Sequence, residues 1–417
     1  MRTTPDTTID RSTPTSAATS ARRLVAIDAA RGLAVLGMIA VHSLMAYDAD
    51  GDPTWTFSLA AGRASAIFAV LAGVGIAFVS RRKQQKPGID ATAISWSLAA
   101  RALMIALIGL SLGFTDSDYG VVILGYYAAM FLLAIPLIRL STRALVFTAV
   151  ALAICAPLLS QALRPHLPEG IDAQLSFDAA LHQPLSFVSD VLFTGEFPAV
   201  VWMTYVCVGL VVGRLVLTAW QTALGLVATG VALMLTSKMV SWLILYPFGG
   251  LDRIRSAEAP DTDGIVDEFL AFGGDGTTPT STWWWLGVDG PHTGTPFDLM
   301  ATVGSSLLVL GAILLLGHVT APVWSTIIHV VLAPLAAIGS LSLTVYVSHI
   351  LFVNSDFDVY GPVSGYVRQV VCITALALVW RATAGRGPLE GLVRFVTIRV
   401  DRFVRQHHDK PAGRHAA

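Results

Sequence analysis

Ile27-Asp-Ala-Ala-Arg31-Gly-Leu-Ala-Val-Leu-Gly-Met-Ile-Ala-Val-His42 is the stretch whose reading decides the fold. It lies in an apolar run, residues 30–47, that follows Arg22 and Arg23 directly. A cleaved signal peptide would have to carry Arg31 at one end of its apolar part and His42 within it, so the run reads as a retained membrane span. Working outward, further apolar stretches of near-spanning length lie at 60–80, 95–114, 120–138, 144–163, 198–217, 222–245, 297–318, 338–354 and 364–383. The fold expected is therefore all-α, a polytopic integral-membrane helical bundle of about ten transmembrane helices. Segment 323–337, interrupted by Pro334, reads as a half-helix or interfacial piece beside 338–354.

Composition agrees. The 417 residues are 54% hydrophobic and 13% charged, with mean hydropathy +0.66, against roughly 25% charged in soluble chains. Soluble enzymes, disordered scaffolds and coiled coils are excluded, and 27 basic against 28 acidic residues leave no basic tract for nucleic acid. Cys155, Cys207 and Cys372 lie inside apolar runs and read as small packing residues. Residues 1–21, rich in Ser, Thr, Pro and Ala, read as a disordered cytoplasmic tail. Residues 22–385 form the polytopic domain, and 386–417 an amphipathic, basic cytoplasmic segment suited to an anionic leaflet. Most of the Lys and Arg then fall on the side of the termini. This places both termini in the cytoplasm, the protein in the plasma membrane, and the long loops 164–197 and 246–296 outside.

Ionisable groups inside spans carry the most information, because a charge at mid-membrane must face a cavity or a partner. At 100° per residue Asp28, Arg31 and His42 fall within a stripe about 60° wide, and about 16 Å of rise separates Arg31 from His42. Arg31 sits at the cytoplasmic edge and His42 toward the outer half. A plain i,i+3 ion pair for Asp28 and Arg31 stays open beside a functional role. Gly32 and Gly37 permit close approach of a helix or a ligand arm.

Arg31, ten residues and His42, preceded by Ile27-Asp28, resemble the Arg-X10-His signature of the transmembrane acyltransferase superfamily. That superfamily groups acyltransferase-3 enzymes with heparan-α-glucosaminide N-acetyltransferase, and the chain looks most like its YeiB-type membrane branch. The resemblance extends through Arg23 to Gly32, Thr194-Gly-Glu-Phe-Pro-Ala199, Gly209 to Arg214, Pro291-His-Thr-Gly-Thr-Pro-Phe-Asp298, Gly339 to Tyr346 with His349, and Gly387-Pro-Leu-Glu390. It implies transfer of an acyl group, acetyl above all, from a cytosolic acyl-CoA to a hydroxyl or amine of an envelope glycan, glycolipid or small acceptor, with His42 catalytic. One departure stands out. The active histidine of the heparan enzyme resembles a position near Asp52 to Trp55, where this sequence has none, so the match at His42 is to the acyltransferase-3 pattern.

A neutral imidazole suits a base or acyl carrier, and Arg31 with Asp28 could hold the donor, with Arg22, Arg23 and the Arg81 to Lys86 loop adding positive field. Tyr346 and His349, on one face with Ser342, are candidate pocket groups. Arg63 and His292 are candidate acceptor contacts, although snorkelling for Arg63 and plain solvation for His292 remain open. Trp283 to Trp285 read as an interfacial anchor and Glu390 as a cap or ion pair. No metal site is expected, acyl-CoA is the only cofactor-like molecule implied, and membrane lipids and a glycan or glycolipid acceptor are the partners, with homo-oligomerisation open. A transporter or flippase of a polar or lipid-linked substrate is the alternative, since the same buried stripe could bind or relay.

Overall fold

In lipid a backbone must satisfy its own hydrogen bonds, and long apolar runs do so as helices. The computed structural model describes residues 16–84, 91–171, 173–259 and 262–408. The first helix, α1 (Ser16–Ser43), is followed by α2 (Trp55–Ala60), α3 (Arg63–Gln84), α4 (Ala91–Ser111), α5 (Leu124–Leu137) and α6 (Thr142–Leu163). Next come α7 (Phe177–His182), α8 (Pro184–Ser189), α9 (Ala199–Val212), α10 (Trp220–Leu245), α11 (Gly250–Ala257) and α12 (Asp263–Phe272). The chain ends with α13 (Pro296–Leu316), α14 (Pro322–Ser340), α15 (Ser342–Val353), α16 (Pro362–Thr383) and α17 (Pro388–His408). The fold is an all-helical, polytopic membrane bundle. Most of the expected N-terminal tail, part of the loop after Arg81 and residues 409–417 lie outside the described residues.

Among the described residues eight helices are long and apolar enough to cross a membrane, and nine if the bent pair Pro184–Thr194 and Ala199–Val212, broken by 47°, counts as one span. The sequence reading of ten full spans is corrected at two places. Residues 120–138 supply only the 14-residue α5. At 338–354 the halves are reversed: α14 is the long piece, 19 residues with Pro334 inside it, and α15 has 12. Proline was the wrong signal for the break, because a helix in lipid tolerates a missing N–H. The chain breaks instead after Ser340, where the Glu390 carboxylate accepts hydrogen bonds from Leu343 N (2.7 Å), Thr344 N (3.2 Å) and Thr344 Oγ1 (2.6 Å) and so caps α15. Part of the expected loop 164–197 is likewise helical, as α7 and α8.

α1 runs through the middle, touching α3, α13, α14, α15 and α16. Its glycines serve helix packing. A Cβ on Gly32 would lie 2.0 Å from Leu335 O, and one on Gly339 would lie 1.7 Å from Asp28 O, so α1 and α14 cross backbone to backbone. Val25, Gly317, His329 and Arg381 share one apolar cavity and mark one end of the bundle. His42, the loop 112–123 and the segment 246–296 gather at the other. That segment is a small folded cap: Trp285 is buried at 1% exposure among Leu245, Ile254, Val266 and Val288, with its indole N–H bonded to Glu258. Trp285 is thus core rather than anchor, and Trp283 alone of the three is largely exposed. Of the cysteines, Cys207 is buried while Cys155 and Cys372 lie on exposed faces.

Candidate functional site

Two cavities approach each other along α1. The one at the His42 end, the chamber, measures about 570 Å³. His42, Tyr346, His292 and Gly120 line it together with the aromatic rings Phe57 and Phe197. Four carboxylates, Asp118, Glu196, Glu268 and Asp275, also face it, and no Lys or Arg is among its lining residues. The cap contributes Glu268 from α12 and Gly273 to Asp275 from the turn behind it, so the outer segment closes over this space.

The other cavity, at the Arg31 end, measures about 670 Å³. Arg31, Arg101, Arg381, Arg386 and Arg394 line it against Asp28, Glu390 and Asp401. Its inner recess, about 170 Å³, carries Arg31 and Arg101 toward Leu124, Tyr127 and Leu343. Arg31 donates to Asp28 Oδ1 at 3.3 Å and to Leu71 O at 3.4 Å, so the i,i+3 pair exists and faces the cavity as well. α17 walls this space with Arg394 and Asp401 while Glu390 pins it to α15.

Along the chain the partition between the cavities is a single residue step. Ile123 lines the chamber and its neighbour Leu124 lines the recess. Tyr346 closes the partition by accepting a hydrogen bond from Ile123 N at 3.2 Å. Tyr127, on the recess side, holds its hydroxyl buried without a hydrogen-bond partner.

Each sequence-derived candidate can now be placed. His42 and Tyr346 share the chamber, and His349, 1% exposed, stands behind His42 with its Nε2 3.1 Å from His42 Nδ1. His292 also reaches the chamber: it packs against Phe197 and Trp202, its Nδ1 lies 3.1 Å from Glu196 Oε1, and burial pushes its pKa down to about 4. It is a walled-in group and not a solvated loop residue. The contact with Glu196 is not aligned as a hydrogen bond. Arg63 is not brought to the chamber. It donates to Ser58 O and lines a separate cleft of about 290 Å³ with Lys238, Asp289 and Asp298. Asp28 and Arg31 stand together in the second cavity.

Sequence reasoning missed Glu196, Gln369 and Arg101 as site groups. Glu196 sits in the break between the halves of the bent span, where the turn at Gly195 aims it inward. Arg101, on α4, stacks its guanidinium 5.2 Å from the Phe131 ring. Among the described residues no group of three or more His, Cys, Asp and Glu is arranged to hold a metal ion.

A profile of the heparan-alpha-glucosaminide N-acetyltransferase catalytic region matches residues 23–245. The chain belongs to that family. Membership implies membrane acetyltransferase chemistry that draws on acetyl-CoA. In this member of the heparan-alpha-glucosaminide N-acetyltransferase family the matched region contributes His42, Arg31, Arg101 and Glu196, while Tyr346, His349 and His292 come from beyond it. No curated protein matches the chain.

Proposed function

We propose that the protein is a plasma-membrane acetyltransferase of the YeiB-type branch. It carries an acetyl group from cytosolic acetyl-CoA, held at the arginine cavity, to an amine of an envelope glycan, glycolipid or small molecule in the chamber. The observation that supports this reading is the pairing of two oppositely charged cavities across one thin partition beside His42. Arginines suit the phosphates of a CoA, and five of them around one space outnumber its three carboxylates. A carboxylate-lined chamber attracts an ammonium-bearing acceptor and repels an anionic one, which favours an amine over a phosphorylated or sulfated hydroxyl compound. The Lys and Arg bias supports an arginine cavity and both termini on the cytoplasmic side, with the α17 arginines beyond Arg394 suited to anionic lipid.

In this reading the acyl arm of the donor passes the partition at Tyr346 and Ile123, and Tyr127 offers its unpaired hydroxyl to a polar group of that arm. The acceptor's ammonium first gives up one proton to water, and His42 then takes a proton from the neutral nitrogen as that nitrogen bonds to the acetyl carbonyl carbon. It returns the proton to the departing sulfur as the C–S bond breaks, so the products are an amide and a free thiol. Gly120 keeps the face of His42 clear: at φ +123° it takes a conformation few side chains allow, and a Cβ there would lie 2.6 Å from His42 Nε2.

The test uses purified protein. Acetyl-CoA should raise its melting temperature, and addition of an amine such as glucosamine should release free CoA thiol and form the acetylated amine. Absence of any acetyl-CoA-dependent stabilisation would overturn the reading. The two interrupted helices, at Gly195 to Pro198 and after Ser340, favour a transporter as the second reading. Flux of a radiolabelled amine into liposomes without donor would select it.

A further inference from the structure

Three helices contribute one file of hydrogen bonds behind the chamber. Gln369 of α16 places Oε1 2.7 Å from His349 Nδ1, and His349 of α15 places Nε2 3.1 Å from His42 Nδ1 on α1. At the far end Gln369 Nε2 donates to Ser43 Oγ at 3.3 Å. The two histidine rings are tilted by only 9° and their centroids are 5.3 Å apart. That separation exceeds the nitrogen–nitrogen distance by two ring radii, so the rings meet edge to edge in one plane, where N–H bonds and lone pairs point, and not face to face.

We propose that this file is a positioning relay: Gln369, acting through His349, holds His42 in the tautomer whose Nε2 lone pair faces the chamber. The chain of donors runs one way. A carbonyl oxygen only accepts, so His349 Nδ1 carries the hydrogen, and a neutral imidazole has only one. His349 Nε2 is therefore bare, His42 Nδ1 must donate to it, and His42 Nε2 is left bare beside Gly120. Gln369 and His349 are 7% and 1% exposed, so water does not replace a lost bond in the file. When His42 gains the acceptor's proton, its Nδ1–H bond to His349 becomes charge-assisted and holds the imidazolium until the proton leaves for sulfur. The inference rests on the reading of His42 as the base of acetyl transfer. His349 and Gln369 touch no reacting atom.

Packing alone asks for volume at positions 349 and 369, whereas the relay asks for acceptors. His349→Leu and Gln369→Met keep approximate volume and remove the acceptor; His349→Gln keeps an acceptor within reach of His42 Nδ1. One measurement needs neither donor nor turnover: the rate at which diethyl pyrocarbonate modifies His42, followed by mass spectrometry, since the reagent attacks a bare ring nitrogen. Relative to the wild type, His42 should react about tenfold more slowly in His349→Leu and Gln369→Met, and within about threefold in His349→Gln. The second measurement is acetyl transfer, in which kcat should fall about 100-fold in His349→Leu with KM for acetyl-CoA changed no more than about twofold, and recover largely in His349→Gln.

Wild-type reactivity of His42 in folded His349→Leu, or equal loss in the Leu and Gln variants, overturns the relay. If His349→Leu fails to fold, Gln369→Met decides by the same criterion. A protein that shows the modification pattern yet transfers no acetyl group keeps the relay and loses the acetyltransferase reading.

Discussion

The two cavities are of similar size but opposite construction. The Arg31 cavity draws four of its five arginines from helix positions, one each on α1, α4, α16 and α17, and only Arg386 from a connection, and the charge bias of the sequence already displays them. The chamber draws its carboxylates from a turn, a helix break and the outer cap, at Asp118, Glu196, Glu268 and Asp275. One is therefore a rigid basic site walled by packed helices. The other is an acidic site assembled from connections, which are free to vary without disturbing the bundle. A constant donor and a changeable acceptor would be served by that division of material.

The sharpest way to break the comparison is to remove the single residue on the chamber side that does chemistry. His42→Ala should lower acetyl transfer by at least about 1,000-fold, or about 4 kcal/mol of barrier, while acetyl-CoA still stabilises the protein. Arg31→Ala should do the reverse, raising KM for acetyl-CoA by about 10- to 100-fold with kcat largely kept, as expected for one charge-assisted contact. If both variants lose donor binding alike, the two cavities do not have separate tasks.

A smaller effect probes the sign of the chamber. Glu268→Gln with Asp275→Asn should raise KM for a cationic amine about fivefold and flatten its dependence on salt, leaving donor KM unchanged. Unaltered acceptor kinetics would remove charge from acceptor selection.

The last test reads stability and concerns His292. Its pKa of about 4 lies below the ordinary 6.5, so the unfolded chain binds a proton that the folded chain refuses. Stability should then be complete above pH 6.5 and fall as the pH drops toward 4, by on the order of 3 kcal/mol for this group. His292→Phe should lessen that slope in thermal melts of the detergent-solubilised protein. An unchanged slope would mean that His292 opens to water before the fold melts.

Helix periodicity alone put Asp28, Arg31 and His42 on one face, and spacing on α15 put Tyr346 and His349 together, because both inferences need only 3.6 residues per turn. Gln369 gave no such sign: a neutral amide in an apolar run carries neither charge nor motif, and only the approach of α16 to His349 gives it a partner. Arg101 was legible as a positive charge near a span end but not as a cavity group, since that depends on α17 folding back against α4. Arg63 shows the converse. Its place near the outer end of a span left snorkelling and acceptor binding both open, and the carbonyl of Ser58 and the carboxylates beside Lys238 draw it to another cleft. Pro334 pointed to a break that the backbone makes instead at Ser340, where Glu390 from a distant segment supplies the cap.

The one-residue partition at Ile123 and Tyr346 also has an electrical meaning. With wide polar spaces reaching it from both ends, most of a membrane voltage would drop across that short stretch, where each elementary charge carried through costs about 2.3 kcal/mol per 100 mV. In the proposed reaction the phosphates stay with the arginines on one side, the acceptor and the proton its ammonium sheds stay on the other, and only neutral groups cross, the acetyl one way and the thiol hydrogen the other. The rate of transfer should then be indifferent to membrane potential, and the cell would modify its outer surface without spending the gradient that its transporters use.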